Sequence, residues 1–476
     1  MRSSVRKTVK RVKTGAFERR LSMATAGFLA GAKYATLTAG TLFSGKEERE
    51  QKRKQILSRQ AQDLVEELGK LKGSVVKIGQ MMALFGEHFL PEEVTAALHT
   101  LENSTTSLHW DTIEAHLREQ LGDTRMAQLE IDRKPLGAAS LAQVHKAVRK
   151  SDGKELVLKI QYPGVADAID SDMRALVQLL KLSRLVPITE QFNEWLREVR
   201  NMLAREVDYR LEARTTRYFR DALANDARFV VPEVIDDFSN DRILCLSFEH
   251  GVHINDPAVM ELSQQRRNFI GHAIMELCCR EVFEWHRMQT DPNFGNYLLR
   301  VNPGHDHDQI VLLDFGAIRE FDDEVLGPGR EMIRGAWHHD TDRIIAATTA
   351  LNFLSNGVPR KQLEEFAELC FEAVEVLQDP DRFPPPSHVL NERGEYLWGE
   401  SDLPRRIMAR TGRTALSRYF DVPPKEFIFL ARKLLGAYTF LHVIEAQVRG
   451  NLILEPFIGM GEEHDRALVR AKLDKK

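Results

Sequence analysis

Hydrophobic and polar positions divide this chain into regimes with different periods. Leu64, Val65, Leu68, Leu71, Val75, Ile78, Met82 and Phe85 recur at three- and four-residue spacing, which predicts one long amphipathic helix. Pro91 ahead of Glu92 and Glu93 suits the first turn of a second helix, and residues 108–121 predict a third. The period changes at Pro135. Residues 136–148 and 156–161 are short apolar runs separated by Ser151, Asp152 and Gly153, a hairpin-type turn. Helical spacing returns over 165–223 with a break near Pro187. Residues 229–234 and 242–248 then flank the polar Ser239-Asn240-Asp241, which predicts a second hairpin. Beyond Gly251 helices dominate, interrupted by an irregular stretch at 290–296 and two compact apolar runs at 297–299 and 310–313. Mostly strands and then mostly helices predict an α+β fold in two lobes.

Composition adds compartment and surface. At 476 residues with 43% apolar content the chain supports a substantial core, and its four cysteines make no disulfide framework, so a reducing compartment is expected. Cys278 and Cys279, neighbours in a helical segment, are expected as small core residues. The net charge of -4 conceals a basic arm: over residues 1–46, Arg2, Arg6, Lys7, Lys10, Arg11, Lys13, Arg19 and Arg20 face the single acid Glu18. Next come residues 21–43, rich in Ala, Gly, Leu and Thr and long enough to cross a bilayer, although the central Lys33 costs insertion about 2.5–3.5 kcal/mol. A membrane-contacting helix is expected there, with the Gly27 and Gly31 pair admitting a homodimer in lipid. No nucleic-acid partner is expected.

The chemistry begins at Asp314-Phe315-Gly316, directly after the apolar run that ends at Leu313. Alone, such a triplet is a turn whose aspartate caps the next segment. Upstream, however, Asp291-Pro292-Asn293-Phe294-Gly295-Asn296 separates an aspartate from an asparagine by the interval of a protein-kinase catalytic loop. Magnesium takes one or two carboxylates together with substrate phosphates, so Asp314 and Asn296 are expected as metal ligands, with Asp291 facing the nucleophile to orient it or accept its proton. Lys159, in the strand-like Leu156-Val157-Leu158-Lys159-Ile160, stands where a kinase places the lysine that contacts inner phosphates and pairs with a helix glutamate. Glu206, Asp208 and Glu212, on one predicted helix over 193–219, are the candidates, and spacing does not choose among them. A glycine-rich loop is absent before the lysine strand. Gly137-Ala138-Ala139-Ser140 occupies that place, where small residues still let backbone N–H groups approach phosphate.

Taken together, these motifs resemble the UbiB family of atypical protein-kinase-like proteins, which is linked to coenzyme Q biosynthesis in bacteria, mitochondria and plastids. Lys77-Ile78-Gly79-Gln80 is similar to the family's Lys-x-Gly-Gln signature and Gly137 to Ser140 to its Ala-rich loop. Lys159 with Gln161-Tyr162-Pro163-Gly164 is similar to its lysine strand, and Glu206-Val207-Asp208 to its Glu-x-Asp motif. Thr290-Asp291-Pro292-Asn293 resembles the coenzyme Q branch with mitochondrial members. The resemblance implies a bilobal kinase-like fold with a helical extension that lies across the active site where a peptide would dock. It further implies that Lys77 pairs with Glu206 or Asp208, and Glu212 with Lys159. Gly137 departs from the usual alanine and implies a more flexible loop, and Ser247 stands where many members carry an acid.

The organisation expected is a basic arm and membrane-contacting helix at 1–50, a helical extension at 51–130, an N-lobe with inserted helices at 131–250 and a C-lobe at 251–476. The function implied is an ATP- and Mg2+-dependent atypical kinase or ATPase supporting ubiquinone biosynthesis, with anionic membrane lipid and other biosynthetic enzymes as partners. It would act on the cytoplasmic face of a bacterial inner membrane or the matrix face of a mitochondrial one. Two alternatives stand beside it: a protein kinase acting in trans, against which the missing glycine-rich loop argues, and a nucleotide-binding pseudokinase scaffold. His305-Asp306-His307-Asp308 is expected as a solvated hairpin loop, His338-His339-Asp340 as the exposed end of a helix, and Trp285 and Trp337 as core aromatics.

Overall fold

The computed structural model describes residues 8–9, 58–59, 62, 74–85, 92–99, 107–183, 189–291, 293–302, 307–352, 358–407, 410 and 425–474. The expectations for the basic arm, residues 21–43, the 64–73 portion of the first helix, Pro91, Pro187, Pro292 and residues 303–306 fall outside them. Two compact units emerge, one made of Met1–Arg217 and Glu233–Phe248, the other of Tyr218–Pro232 and Glu249–Lys476.

In the first unit, α1 (Ser74–Phe85) packs on α2 (Glu92–His99), α4 (Val165–Ser183) and α5 (Glu190–Glu206). Its buried positions, Val76, Ile78, Gly79 and Met82, keep helical spacing, as the sequence predicts. A sheet runs in the order β1 (Leu129–Ile131), β3 (Ala142–Arg149), β4 (Glu155–Gln161), β5 (Ile243–Ser247), with the short β2 (Gly137–Ala138) also on β3. The β3 to β4 turn is the predicted one. Gly153 adopts φ +72°, a region costly for other residues, and Arg149 grips Asp152 through two bonds of 2.9 and 2.5 Å.

Strand alternation then sets the two faces of β4. Leu156, Leu158 and Ile160 are fully buried against Ile113, Leu117 and Leu121 of α3 (Trp110–Met126). Each such residue contributes about 1.5–3 kcal/mol. Val157 and Lys159 point the other way, to a face that Leu244 and Leu246 of β5 share in register. Tyr209 and Ala213 of α6 (Tyr209–Ala222) cover that face.

The second predicted hairpin does not form. Ile243–Ser247 pairs with β4, whereas Phe229–Val230 lies parallel to Ile310–Val311 in the other unit. What survives of the predicted hairpin is a single bridge, Val234 to Leu246. The predicted helix over 193–219 is likewise two helices. α5 ends at Glu206, and Asp208 starts α6 by accepting from the Leu211 N–H at 2.9 Å.

The second unit centres on helix α7 (Gln264–Cys279), which continues into a π-turn over Arg280–Glu284. Strand β6 (Arg287–Gln289) pairs with β9 (Ile318–Glu320), and β7 (Tyr297–Arg300) with β8 (Gln309–Leu312). Around these stand α8 (Asp323–His338), α9 (Thr341–Ala350), α10 (Arg360–Ala373), α11 (Lys425–Val443), α12 (Gly450–Ile458) and α13 (Glu462–Leu473). Cys278 and Cys279 are buried, matching their expected core role. Among the described residues no helix is long and apolar enough to cross a membrane.

Candidate active site

The first unit holds Lys77, Lys159, Glu206, Asp208 and Glu212. Lys159 Nζ lies 2.7 and 2.9 Å from the two oxygens of Glu212, whose side chain is 3% exposed against 22% for the lysine. Backbone geometry makes this choice of partner. Tyr209, Glu212 and Ala213 fall on one face of α6, and that face covers the Lys159 side of β4. The Tyr209 ring lies 5.4 Å from the Lys159 ammonium. Glu206, on the preceding helix, pairs instead with Lys77 at 2.6 Å, and exposed Asp208 is spent as a helix cap.

Gly79 is buried in α1, and Gln80 accepts from Ser140 Oγ at 3.4 Å, which joins the Lys77 helix to the end of the small-residue loop. That loop is partly a strand. Leu136 and Ala139 donate to the carbonyls of Val144 and Ala142, both at 2.8 Å, so Gly137 and Ala138 are held against β3. A methyl group built on Gly137 would meet nothing within 4 Å, so an alanine is sterically admissible there. Ser247 Oγ accepts from the Glu233 N–H at 2.8 Å and fixes the end of β5.

The second unit holds Asp291, Asn296 and Asp314. Strand β6 delivers Asp291 and strand β8 delivers Asp314, and one side chain ties the two. Buried Gln289 accepts from the Asp291 N–H at 3.1 Å through Oε1 and donates to the Asp314 carbonyl at 2.5 Å through Nε2. Asp291 Oδ2 accepts from Asn296 Nδ2 at 3.0 Å, and Asp291 Oδ1 from the Asn293 N–H at 3.3 Å. Asp314 Oδ1 accepts from the Gly316 N–H at 2.8 Å. Thr290 Oγ1 donates to the Ala317 carbonyl at 2.8 Å, pinning the loop to the strand just after Gly316. Phe315 is buried and stacked on Phe219 at 5.0 Å, and Trp285 meets Phe219 edge-on at 5.5 Å.

Gln289 is the residue that motif reasoning missed. The signal was present, since an amide two positions before Asp291 can serve a donor and an acceptor at once. Among the described residues, the other acidic and histidine positions are held by side-chain partners. Asp308 is not solvated: it is buried and held by Arg266 at 2.5 and 2.8 Å, a partner 42 residues away, while His307 stacks on Phe269. His339 closes α8 in a left-handed conformation and lies between Phe371 and Phe383 at ring distances of 4.3 and 3.7 Å. Among the described residues no group of three or more His, Cys, Asp or Glu converges on one point. The donors that do gather are hard oxygens: Asp291 and Asp314, whose backbones share one amide, and Asn296, which bonds to Asp291. That set suits magnesium, a cation that commonly takes one or two protein carboxylates and completes its shell with phosphate and water.

A strand-borne lysine paired to a helix glutamate, with an aspartate–asparagine loop and a strand-ending aspartate, defines a protein-kinase-like chain. The ABC1 atypical kinase-like domain matches residues 100–348, a span that holds Lys159, Glu212, Asp291, Asn296 and Asp314, whereas Lys77 and Gln80 precede it. Curated relatives agree. The chain is 30% identical to "Atypical kinase coq-8, mitochondrial" of Caenorhabditis elegans over 89% of its own length and 54% of the relative's. It is 32% identical to rat "Atypical kinase COQ8B, mitochondrial" over 82% and 70%, and 33% identical to Saccharomyces cerevisiae "Atypical kinase COQ8, mitochondrial" over 81% and 73%. This chain belongs to the ABC1 atypical kinase-like family, the UbiB group that its motifs resemble. Among solved structures, Mycobacterium tuberculosis Rv3197, determined in complex with erythromycin, is similar at TM-score 0.54 and 22% identity over 87% of this chain and 99% of that one. That likeness shows the α+β kinase-like fold. The chain spans 54–61% of the worm and Schizosaccharomyces pombe relatives' length.

Proposed function

We propose that this chain is an ATP- and Mg2+-dependent atypical kinase or ATPase that supports coenzyme Q biosynthesis at a membrane. The observation that carries the reading is the Gln289 amide, which ties Asp291 to Asp314 while Asn296 bonds to the Asp291 carboxylate. In this reading Asp314 and Asn296 hold magnesium, whose charge would offset that of the phosphate oxygens. Lys159, oriented by Glu212, contacts the inner phosphates. The backbone of Gly137, Ala138, Ala139 and Ser140 borders them. Asp291 orients the attacking oxygen or takes its proton as the terminal P–O bond to ADP breaks and a new P–O bond forms. Lys77, Gly79 and Gln80, with Glu206 and Asp208, form the motif that guards the site against peptides.

The relatives' names support a mitochondrial setting, and the resemblance of 290–293 to the coenzyme Q branch supports the pathway; the matrix face of a mitochondrial inner membrane, or the cytoplasmic face of a bacterial one, belongs to the proposal. Anionic lipid would be met by the basic arm, worth about 1 kcal/mol per basic residue near the surface. Quinone-biosynthesis enzymes are the proposed partners, and the division at residues 50, 130 and 250 belongs to the same proposal. The test is ADP release by the purified full chain with magnesium, with and without anionic liposomes and quinone-precursor phenols, beside Asp314→Asn. Turnover that rises with lipid and is lost in the variant supports the reading. No turnover under any condition favours a nucleotide-binding scaffold, and lipid-independent labelling of added proteins favours a protein kinase.

A further inference from the structure

The Gln289 side chain holds Asp291 and Asp314, and its own backbone N–H needs a partner as well. Among the described residues strand β6 pairs along one edge only, with β9. The His286 carbonyl accepts from the Phe321 N–H at 3.0 Å and the Thr290 N–H donates to the Ala317 carbonyl at 3.2 Å, so alternate residues 286, 288 and 290 face β9. The Gln289 N–H therefore points to the opposite edge, and because the residue is buried that N–H requires an acceptor there. Glu281 stands on the π-turn that feeds this strand, where the Trp285 N–H reaches back to the Arg280 carbonyl at 2.8 Å; widened turns of this kind recur at functional sites. Its carboxylate is 2% exposed and lies 2.6 Å from Lys433 Nζ of α11, itself buried. Burial pushes the Glu281 carboxyl up, opposed by Lys433 and by a hydrogen bond from the Gln289 backbone N–H. Helix α11 meets the Asp291 loop as well. Lys433 and Asp291 line one recess with Cys278 and Tyr297, and Phe440, two turns after Lys433, packs edge-on against Tyr297 at 5.8 Å and Phe294 at 6.3 Å. Stability does not explain the pair, since two charges taken out of water regain little more than well-packed apolar side chains would, and Ile274, Leu277 and Ala437 line the same recess. What an apolar pair could not provide is an acceptor for the Gln289 N–H.

We propose, on the phosphoryl-transfer reading above, that Glu281 and Lys433 are positioning residues for the strand that leads to Asp291. The Glu281 carboxylate, with Lys433 as its counter-ion, holds the edge of β6 that no strand covers, and so sets where Gln289 presents Asp291 and Asp314. Neither residue touches substrate. A displacement of about 1 Å at the reacting groups can cost about 100-fold in rate, so the pair acts on turnover more than on nucleotide binding.

The experiment compares the full chain with Glu281→Leu, Lys433→Met and two double variants, Glu281→Leu/Lys433→Met and Glu281→Gln/Lys433→Met. It reads kcat and KM for ADP release from MgATP, MgADP affinity and the thermal midpoint. Each single variant strands one buried charge and is expected to lower midpoint and turnover together. Both double variants remove both charges and should recover most of the midpoint. They differ in that glutamine keeps an oxygen for the Gln289 N–H and leucine does not. Glu281→Leu/Lys433→Met is expected to turn over about 10- to 100-fold more slowly than wild type with KM and MgADP affinity little changed, and Glu281→Gln/Lys433→Met to recover most of the rate. Equal turnover in the two double variants overturns the inference and leaves the proposed function standing. So does turnover that tracks the thermal midpoint across all four variants, which marks a merely structural pair. If Glu281→Leu/Lys433→Met does not fold, the other double variant decides: recovered turnover supports the inference, and slow turnover at a wild-type midpoint overturns it. A wild type without turnover overturns both.

Discussion

Gln289 concentrates more of the site's order than any residue with an obvious chemical role. Its amide satisfies one N–H and one carbonyl in a buried setting, and both belong to the backbones that present Asp291 and Asp314. Replacing it with leucine keeps the bulk but leaves both groups unpaired, each at a cost of about 1–3 kcal/mol. Gln289→Leu is therefore expected to lower the urea midpoint clearly and turnover more than nucleotide affinity, whereas Gln289→Glu, which keeps the acceptor but not the donor when ionised, should fall between. Gly137 presents the opposite case. With open space around its missing Cβ, Gly137→Ala should fold and gain about 0.4–1 kcal/mol through a stiffer unfolded chain. Any change in MgATP affinity, measured by titration with a fluorescent nucleotide, then reports the lost freedom of the loop; the expected direction is weaker binding. A variant that failed to fold would mean that the loop needs a conformation reserved for glycine.

At the scale of elements, the legible part was what a period can encode. The alternation in 156–160 puts Lys159 opposite Leu158 and Ile160, and the structure has that arrangement. Which acid meets Lys159 was not legible from spacing, because the choice depends on a helix break at Val207 that no proline or glycine announces. Once the chain restarts at Asp208, Glu206 and Glu212 belong to different helices and reach different lysines. The strand at Phe229–Val230 failed for a related reason: a short apolar run shows a face but not a partner, and its partner is 81 residues away across the register Ile310 to Phe229. Lys77 and Glu206, with side chains 25% and 33% exposed, form a pair of the kind worth about 0–1 kcal/mol. Lys77→Ala should thus leave the thermal midpoint nearly unchanged, so that a large shift in turnover or in substrate acceptance would report the guarding role and not unfolding. A fall of many degrees would show that α1 depends on the pair.

Within the second unit, a buried charge cluster connects α13 to the strand that leads into the Asp291 loop. Asp465 of α13 is fully buried, takes Arg330 at 2.6 and 2.8 Å and Arg334 at 2.6 Å, and Arg334 also reaches Glu331 at 2.8 Å and the carbonyls of Ile458 and Met460. None of this could be read from sequence, since Asp465 and Arg330 are 135 positions apart. Removing the carboxylate strands two guanidinium groups in the interior, and Asp465→Ala is expected to cost about 3–5 kcal/mol.

The same cluster makes stability depend on pH. Arg330 donates to His286 Nε2 at 3.0 Å, so that nitrogen is held unprotonated, one residue before β6. Burial and then Arg330 pull the His286 pKa below its ordinary 6.5, against the opposing pull of Asp323, Asp465 and the Phe283 backbone. With the folded value depressed, the unfolded chain takes up the proton first, so stability is fully present above about pH 6.5 and is lost as pH falls through that value toward the folded pKa. His116, His145, His272 and His338 are shifted down by burial as well and add to the same slope. His286→Gln can still accept from Arg330 but has no proton to gain, so urea midpoints taken from pH 8 to pH 5 should fall less steeply for this variant than for the wild type. Parallel slopes would mean that His286 titrates alike in the folded and unfolded chains and that Arg330 does not set its protonation.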